Sequence, residues 1–207
     1  MSGISLEFHE PETTREEMLI ATFKALSTHG YADLTIAKIG DEFDKSPSLI
    51  YHHYDDKEAL VLDCLEFMLD HFETTLLTTC TDDPRDALLR FIDRTLDACS
   101  GEPDPLVETL VELRARTNGD AFYDHFTRSD SVFQAHLEST LRAGIDDGVF
   151  ENCDAERIAA TVLTTLTGAL YRGVTSDADA DISATRSELV GYLEGRLGVD
   201  DGFDSRT

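Results

Sequence analysis

Hydrophobic positions recur every three or four residues over most of this chain, the period of a helix with one buried face. Leu19, Phe23 and Leu26 form the first stripe; Thr13 and Glu16 before it have capping-box spacing, and Gly30 supplies a stop. Ile36, Ile39 and Phe43 mark a second, short helix capped by Thr35. Ser46 and Pro47 read as the cap and first-turn proline of a third, anchored by Leu49 and Ile50. Asp55 and Glu58, again three apart, open a long helix from Asp56 to about Cys80 that buries Leu60, Cys64, Phe67, Met68, Phe72 and Leu76.

Five more stripes follow. Asp83-Pro84 opens one with Leu88, Phe91, Ile92 and Leu96, and the break Gly101-Glu102-Pro103-Asp104-Pro105 ends it. Leu106, Leu110 and Leu113 mark a shorter helix ending near Asn118-Gly119. Phe122, Phe126, Phe133, Leu137 and Leu141 predict a helix from Asp120 to Asp147-Gly148, with an interruption expected around Ser129-Asp130. Asp154 caps a helix with Ile158, Val162, Leu166 and Leu170, and Ile182, Leu189, Leu193 and Leu197 fit a last one. Residues 1–12 and the tail from Gly198 to Thr207 are expected to be loosely ordered. No strand alternation, internal repeat or low-complexity tract appears, so the predicted fold is all-α.

The second and third stripes are joined by the tight connection Asp44-Lys45. Two short helices linked in this way make a helix-turn-helix, whose second helix enters the DNA major groove. That second helix leaves Ser48, Tyr51, His52 and Tyr54 on a polar, aromatic side, and no acid occurs from Lys45 to Tyr54. The run Ser46-Pro47-Ser48-Leu49-Ile50-Tyr51-His52-His53-Tyr54-Asp55-Asp56-Lys57-Glu58-Ala59-Leu60 resembles the recognition-helix signature of the TetR (tetracycline-repressor-like) family. Tyr51, His53, Tyr54, Lys57, Glu58 and Leu60 fall on its defining positions. Asp44 and Lys45 stand where that family usually has a glycine and an apolar residue. Aspartate tolerates the left-handed backbone; Lys45 fits if its stem covers the core and its ammonium reaches out.

The resemblance implies a three-helix DNA-binding head over residues 1–55 and a helical effector-binding and dimerisation body over 56–200. It implies a homodimeric repressor on a palindromic double-stranded DNA operator, released by a small apolar or amphipathic effector. Ser48, Tyr51 and His52 would then face base edges, while Lys45, Ser46, Tyr54, Lys57 and the Thr35 hydroxyl and amide would hold phosphates. Met68, Phe72, Phe91, Thr95, Phe122, Tyr123 and Phe126 are the effector-pocket candidates, although the same spacing also reads as core. The phrase Ala143-Gly144-Ile145-Asp146-Asp147-Gly148-Val149-Phe150 is similar to a turn before the penultimate helix of that family. Its last two helices pair as a four-helix dimer interface. Ala159, Ala160, Thr164, Thr165, Gly168, Ala169 and Gly173 would permit such close approach, or simply pack within the chain.

Charge complicates this picture. Seventeen basic and 42 acidic residues give −25, which ordinarily argues against a nucleic-acid partner. Residues 1–57 hold all four lysines and five of the basic groups against 11 acids, leaving −19 to the remainder. Such an excess of acid with scarce lysine resembles proteins of salt-rich cytoplasm, where self-repulsion is screened. It also favours an alternative, a ligand- or partner-binding protein of the same fold that has lost DNA binding.

No apolar run of about 18 residues occurs, so no membrane span is expected, and the acidic N-terminus lacks the apolar core of a signal peptide. A cytoplasmic location follows as an expectation. Cys64, Cys80, Cys99 and Cys153 are widely spaced and make neither a zinc motif nor a disulfide framework. His71, His125 and His136 lack partners at metal-ligand spacing, and no hydrolase turn, zinc-protease helix or phosphate loop appears. Neither an enzyme nor a cofactor is expected.

Overall fold

The computed structural model describes residues 8, 10–78, 83–98, 105–115, 121–176 and 182–199. These residues hold helices and turns and no strand. The expected features at Cys80, Cys99, Gly101 to Asp104, Asn118-Gly119 and 200–207 lie outside them, as does the Leu76 side chain. The chain divides into two compact units, Met1–Thr78 with Asp104–Ser129, and Thr79–Pro103 with Asp130–Thr207.

In the first unit, α1 (Thr14–His29) packs on α2 (Ile36–Asp41), α4 (Lys57–Thr78) and α6 (Pro105–Arg114). A 3-10 turn over Pro47–Leu49 runs directly into α3 (Ile50–His53). The first part of α7 (Ala121–Asp146) adds Phe122 and Phe126 to a core built on Met18, Leu19, Leu26, Ile39, Ile50, Leu60 and Cys64. Thr13 caps α1 as its spacing foretells, its hydroxyl accepting from the Glu16 amide at 3.2 Å, and Gly30 closes the helix at φ 66°. Residues 1–7 and 9 lie outside the described ones, but Phe8, expected to be loosely ordered, is packed. Phe8 sets its ring against Phe23 at 5.1 Å, Phe67 at 5.4 Å and His71 at 5.0 Å, an aromatic anchor invisible to helical periodicity.

The second unit is built from α5 (Pro84–Asp97), α8 (Ala155–Thr175), α9 (Ile182–Leu197) and the later part of α7. Asp83 and Asp154 cap α5 and α8 through their carboxylates. The interruption expected at Ser129-Asp130 is absent: α7 is continuous from Ala121 to Asp146. Ser129 is buried on the stripe that Phe122 and Phe126 begin, so a small polar residue continues the inward face instead of breaking it. After α7, Gly148 turns the chain at φ 71° and the carbonyl of Gly144 accepts from the amides of Val149 and Phe150 at 2.8 and 2.9 Å. Val199 is buried, so the expected fraying does not begin at Gly198.

Candidate nucleic-acid interface

Thr35 opens α2 by accepting from the Lys38 amide at 3.2 Å. Ile39 and Phe43 hold that helix to the core, and Ile50, fully buried, holds α3. α2 and the 3-10 turn approach closely because position 40 is glycine. A Cβ there would lie 2.8 Å from the Cγ of Pro47, inside any tolerable contact. Sequence reasoning passed over Gly40, although a glycine inside a short helix is itself the signal of a close backbone approach.

Ser46 stands at the predicted cap, but its hydroxyl bonds that of Ser48 at 2.9 Å and caps no amide. The first turn is 3-10, which closes through the Leu49 amide and the Ser46 carbonyl at 3.0 Å. The cap of α4 is likewise corrected by one residue. Asp56 accepts from the Ala59 amide at 2.8 Å and the helix begins at Lys57, because the Asp56-Ala59 spacing satisfies the third amide directly.

The predicted contact residues separate into two groups. Tyr51, 67% exposed, projects outward with Ser46, Ser48, His52 and His53, and Thr35 is exposed beside α2. The others have their polar ends engaged within the first unit. Lys45 places its ammonium 2.6 Å from the Glu17 carboxylate and donates to the Thr14 hydroxyl at 3.0 Å, its stem crossing to α1 as the turn requires. Lys57 donates to the Tyr31 carbonyl at 3.1 Å and lies 4.1 Å from the centre of that ring, a cation–π contact. Tyr54 is half-buried and donates its hydroxyl to Asp63 at 2.6 Å. Asp63 also receives the guanidinium of Arg15, whose Nε donates at 2.9 Å. Arg15, Glu17, Tyr31 and Asp63 were not candidates, since nothing local in the sequence announces partners so distant.

Among the effector-pocket candidates of the first unit, Phe122 and Phe126 are buried in its core, Met68 and Phe72 are half-buried, and Tyr123 is 47% exposed on α7. His125 is buried with its ring 5.2 Å from Phe126. Burial, with Arg128 and Arg114 nearby, pushes its imidazole down to about 4, leaving it neutral at pH 7. In the second unit, Phe91 is half-buried against Phe133 at 6.1 Å and His136 at 5.7 Å, and Thr95 donates to the Phe91 carbonyl. The outer side of α8 and α9 forms an open cleft of about 390 Å³ lined by Thr161, Thr165, Ala184, Thr185, Glu188, Leu189 and Tyr192. Ala159 and Ala169, by contrast, are buried in that unit's own core. No helix among the described residues is long and apolar enough to cross a membrane.

Residues 19–64, which contain α2, the turn and α3, match the family described as bacterial regulatory proteins, tetR family. The structure of a TetR transcription regulator from Haloarcula marismortui ATCC 43049 is 33% identical and superposes with a TM-score of 0.74 over 89% of this chain and 98% of that one. The nucleoid occlusion factor SlmA of Vibrio campbellii (strain ATCC BAA-1116) is 25% identical over 88% of this chain and 95% of its own. The regulator BetI of Stenotrophomonas maltophilia (strain R551-3) is 29% identical over 86 residues, covering 40% of this chain and 44% of that protein.

Proposed function

As a member of the TetR family of transcriptional regulators, this chain is a DNA-binding regulator, and we propose that it acts as a homodimeric repressor on a palindromic operator. The observation that carries this reading is the outward strip of Ser48, Tyr51 and His52, held from behind by Ile50 in a stretch free of acids. Ser48, Tyr51 and His52 meet base edges, and Ser46 and Thr35 lie where phosphates flank them. Lys45 and Lys57 reach phosphate only by exchanging their present partners Glu17 and Tyr31. On this reading residues 1–55 read DNA, residues 56–200 hold the effector and the dimer interface, and the protein works in the cytoplasm with no catalytic activity.

The cleft on α8 and α9, where Tyr192 is exposed, is the surface offered to the second copy. A small apolar or amphipathic effector in the body lowers DNA affinity to the extent that it prefers the conformer with misaligned heads. Met68, Phe72, Phe122, Tyr123 and Phe126 are the residues proposed for it within the first unit, and Phe91 and Thr95 are a separate candidate within the second. The acidic head, net −6 over residues 1–57, favours a second reading in which the same fold binds a ligand or partner without DNA. Gel shifts with DNA from upstream of the protein's own gene decide between the two. An inverted repeat recovered by selection from random DNA supports the first reading; retention of no duplex at any salt concentration removes it.

Two substitutions test the strip itself. Tyr51→Ala is expected to weaken operator binding by about 1–3 kcal/mol without lowering the melting temperature, since the side chain is exposed. Unchanged affinity would remove Tyr51 from the interface. Gly40→Ala gains about 1 kcal/mol of helix propensity and meets Pro47 at an overpacking cost of about 1–3 kcal/mol. Stability should therefore fall by no more than about 2 kcal/mol while affinity falls at least about tenfold, because the displaced element is the one that enters the groove. Equal affinity for Gly40→Ala and the parent, measured by fluorescence anisotropy, would show that the helix spacing is not limiting.

A further inference from the structure

The recognition element is short, and Ile50 is its fully buried residue. Ile50, with its half-buried neighbour Leu49, anchors the middle of the element and leaves the direction of its C-terminal end to be set separately. A second constraint exists at its C-terminal end. Tyr54 is extended there, with φ −133° and ψ 130°, and its amide closes the last turn on the Ile50 carbonyl at 2.9 Å. From this position the phenol crosses to α4 and donates to Asp63, where Arg15 of α1 already forks onto the same carboxylate. Three elements thus converge on one carboxyl group. The phenol is protonated and directional, its ionisation pushed upward first by burial and then by the bond to Asp63.

We propose that Tyr54, Asp63 and Arg15 act as a strut that sets the angle of the recognition helix, and that Tyr54 is a positioning residue and no phosphate ligand. The inference rests on the DNA-binding reading above and departs from the phosphate role that the sequence alone suggested for Tyr54. A hydroxyl committed at 2.6 Å to a carboxylate has its donor spent, and a DNA phosphate would have to displace that carboxylate while approaching it. Asp63 performs the same positioning from α4, and Arg15 keeps the carboxylate aimed.

The test is a double-mutant cycle on full-length protein with the selected operator. Tyr54→Phe keeps the ring and removes the donor; a loss of about three- to tenfold in affinity is expected. Asp63→Ala is expected to give a similar loss, and the double variant no more than either alone. Asp63→Asn, which still offers an acceptor oxygen, should keep most of the affinity. Additive losses for Tyr54→Phe and Asp63→Ala would overturn the strut and restore a phosphate contact. A DNA-free measurement separates this inference from the regulatory reading. Amide exchange at residues 50–54 should accelerate in Tyr54→Phe while α1 is unchanged. Unaltered exchange there overturns the strut, even in a protein that binds no operator.

Discussion

Raising potassium chloride from about 0.1 M to about 2 M is expected to leave operator affinity within about tenfold, or to raise it. An ordinary DNA-binding protein loses about 10³–10⁵ in affinity between 50 and 200 mM salt, because its cations displace counterions condensed on phosphate. Here the cations of the head are largely committed. Lys45 faces Glu17, Arg15 faces Asp63, and Lys57 sits on Tyr31. The chain as a whole brings −25 towards another polyanion. At about 0.1 M the Debye length is about 10 Å, so acids around the interface repel the duplex; at about 1 M it is roughly 3 Å, and only the strip around Tyr51 and His52 is felt. Cations taken up between carboxylate and phosphate then offset those that the lysines release. Folding stability should rise with salt as well, since screening relieves repulsion among the acids. A steep loss of affinity over this range, in a protein equally well folded in dilute buffer, would show that the acidic surface is no adaptation to salt.

The second large effect is expected at Gly144. A Cβ at this position would overlap the ring of Phe150, which is 4% exposed and has nowhere to go. The Gly144 carbonyl also binds two amides of the turn that delivers that ring, so the backbone cannot yield without breaking them. Gly144→Val should therefore destabilise the protein by about 3 kcal/mol or more, beyond the propensity gained by leaving glycine. Gly195→Ala in α9 is the contrasting case: nothing lies within 4 Å of its Cβ, and about 0.5–1 kcal/mol of stabilisation is expected. Urea melts of the three proteins check both signs. A Gly144→Val protein as stable as the parent would mean that the Phe150 ring is not locked.

These glycines show where a sequence is readable. Helix positions and the caps at Thr13, Thr35, Asp83 and Asp154 were legible because each is decided within about one turn of chain, by period and by the nearest amides. The continuity of α7 was not, because Ser129-Asp130 reads as a breaker by composition while burial of Ser129 sets it on the inward face. The start of α4 slipped by one residue because Asp55 and Asp56 offer equivalent local chemistry and geometry chose between them. In the candidate site, the outward positions of Ser48, Tyr51 and His52 followed from the period. The commitments of Lys45 to Glu17, Lys57 to Tyr31 and Tyr54 to Asp63 did not, since each depends on packing that joins separate helices. Gly40 and Gly144 lie between these cases: the residue type announces a close approach without saying what approaches.

The outward strip has a consequence for how this protein could change its target. Ser48, Tyr51 and His52 are all exposed, whereas Ile50 beneath them is fully buried and Gly40 and Pro47 fix the spacing behind. On the proposed reading, target preference and fold integrity reside in interleaved but different side chains. A library randomised at positions 48, 51 and 52 alone, with Gly40, Pro47, Ile50, Tyr54 and Asp63 held constant, should stay folded in nearly every member while its preferred operators diverge. Drift at three exposed positions would be enough for duplicated copies of such a gene to come under separate control before any part of the core had to change.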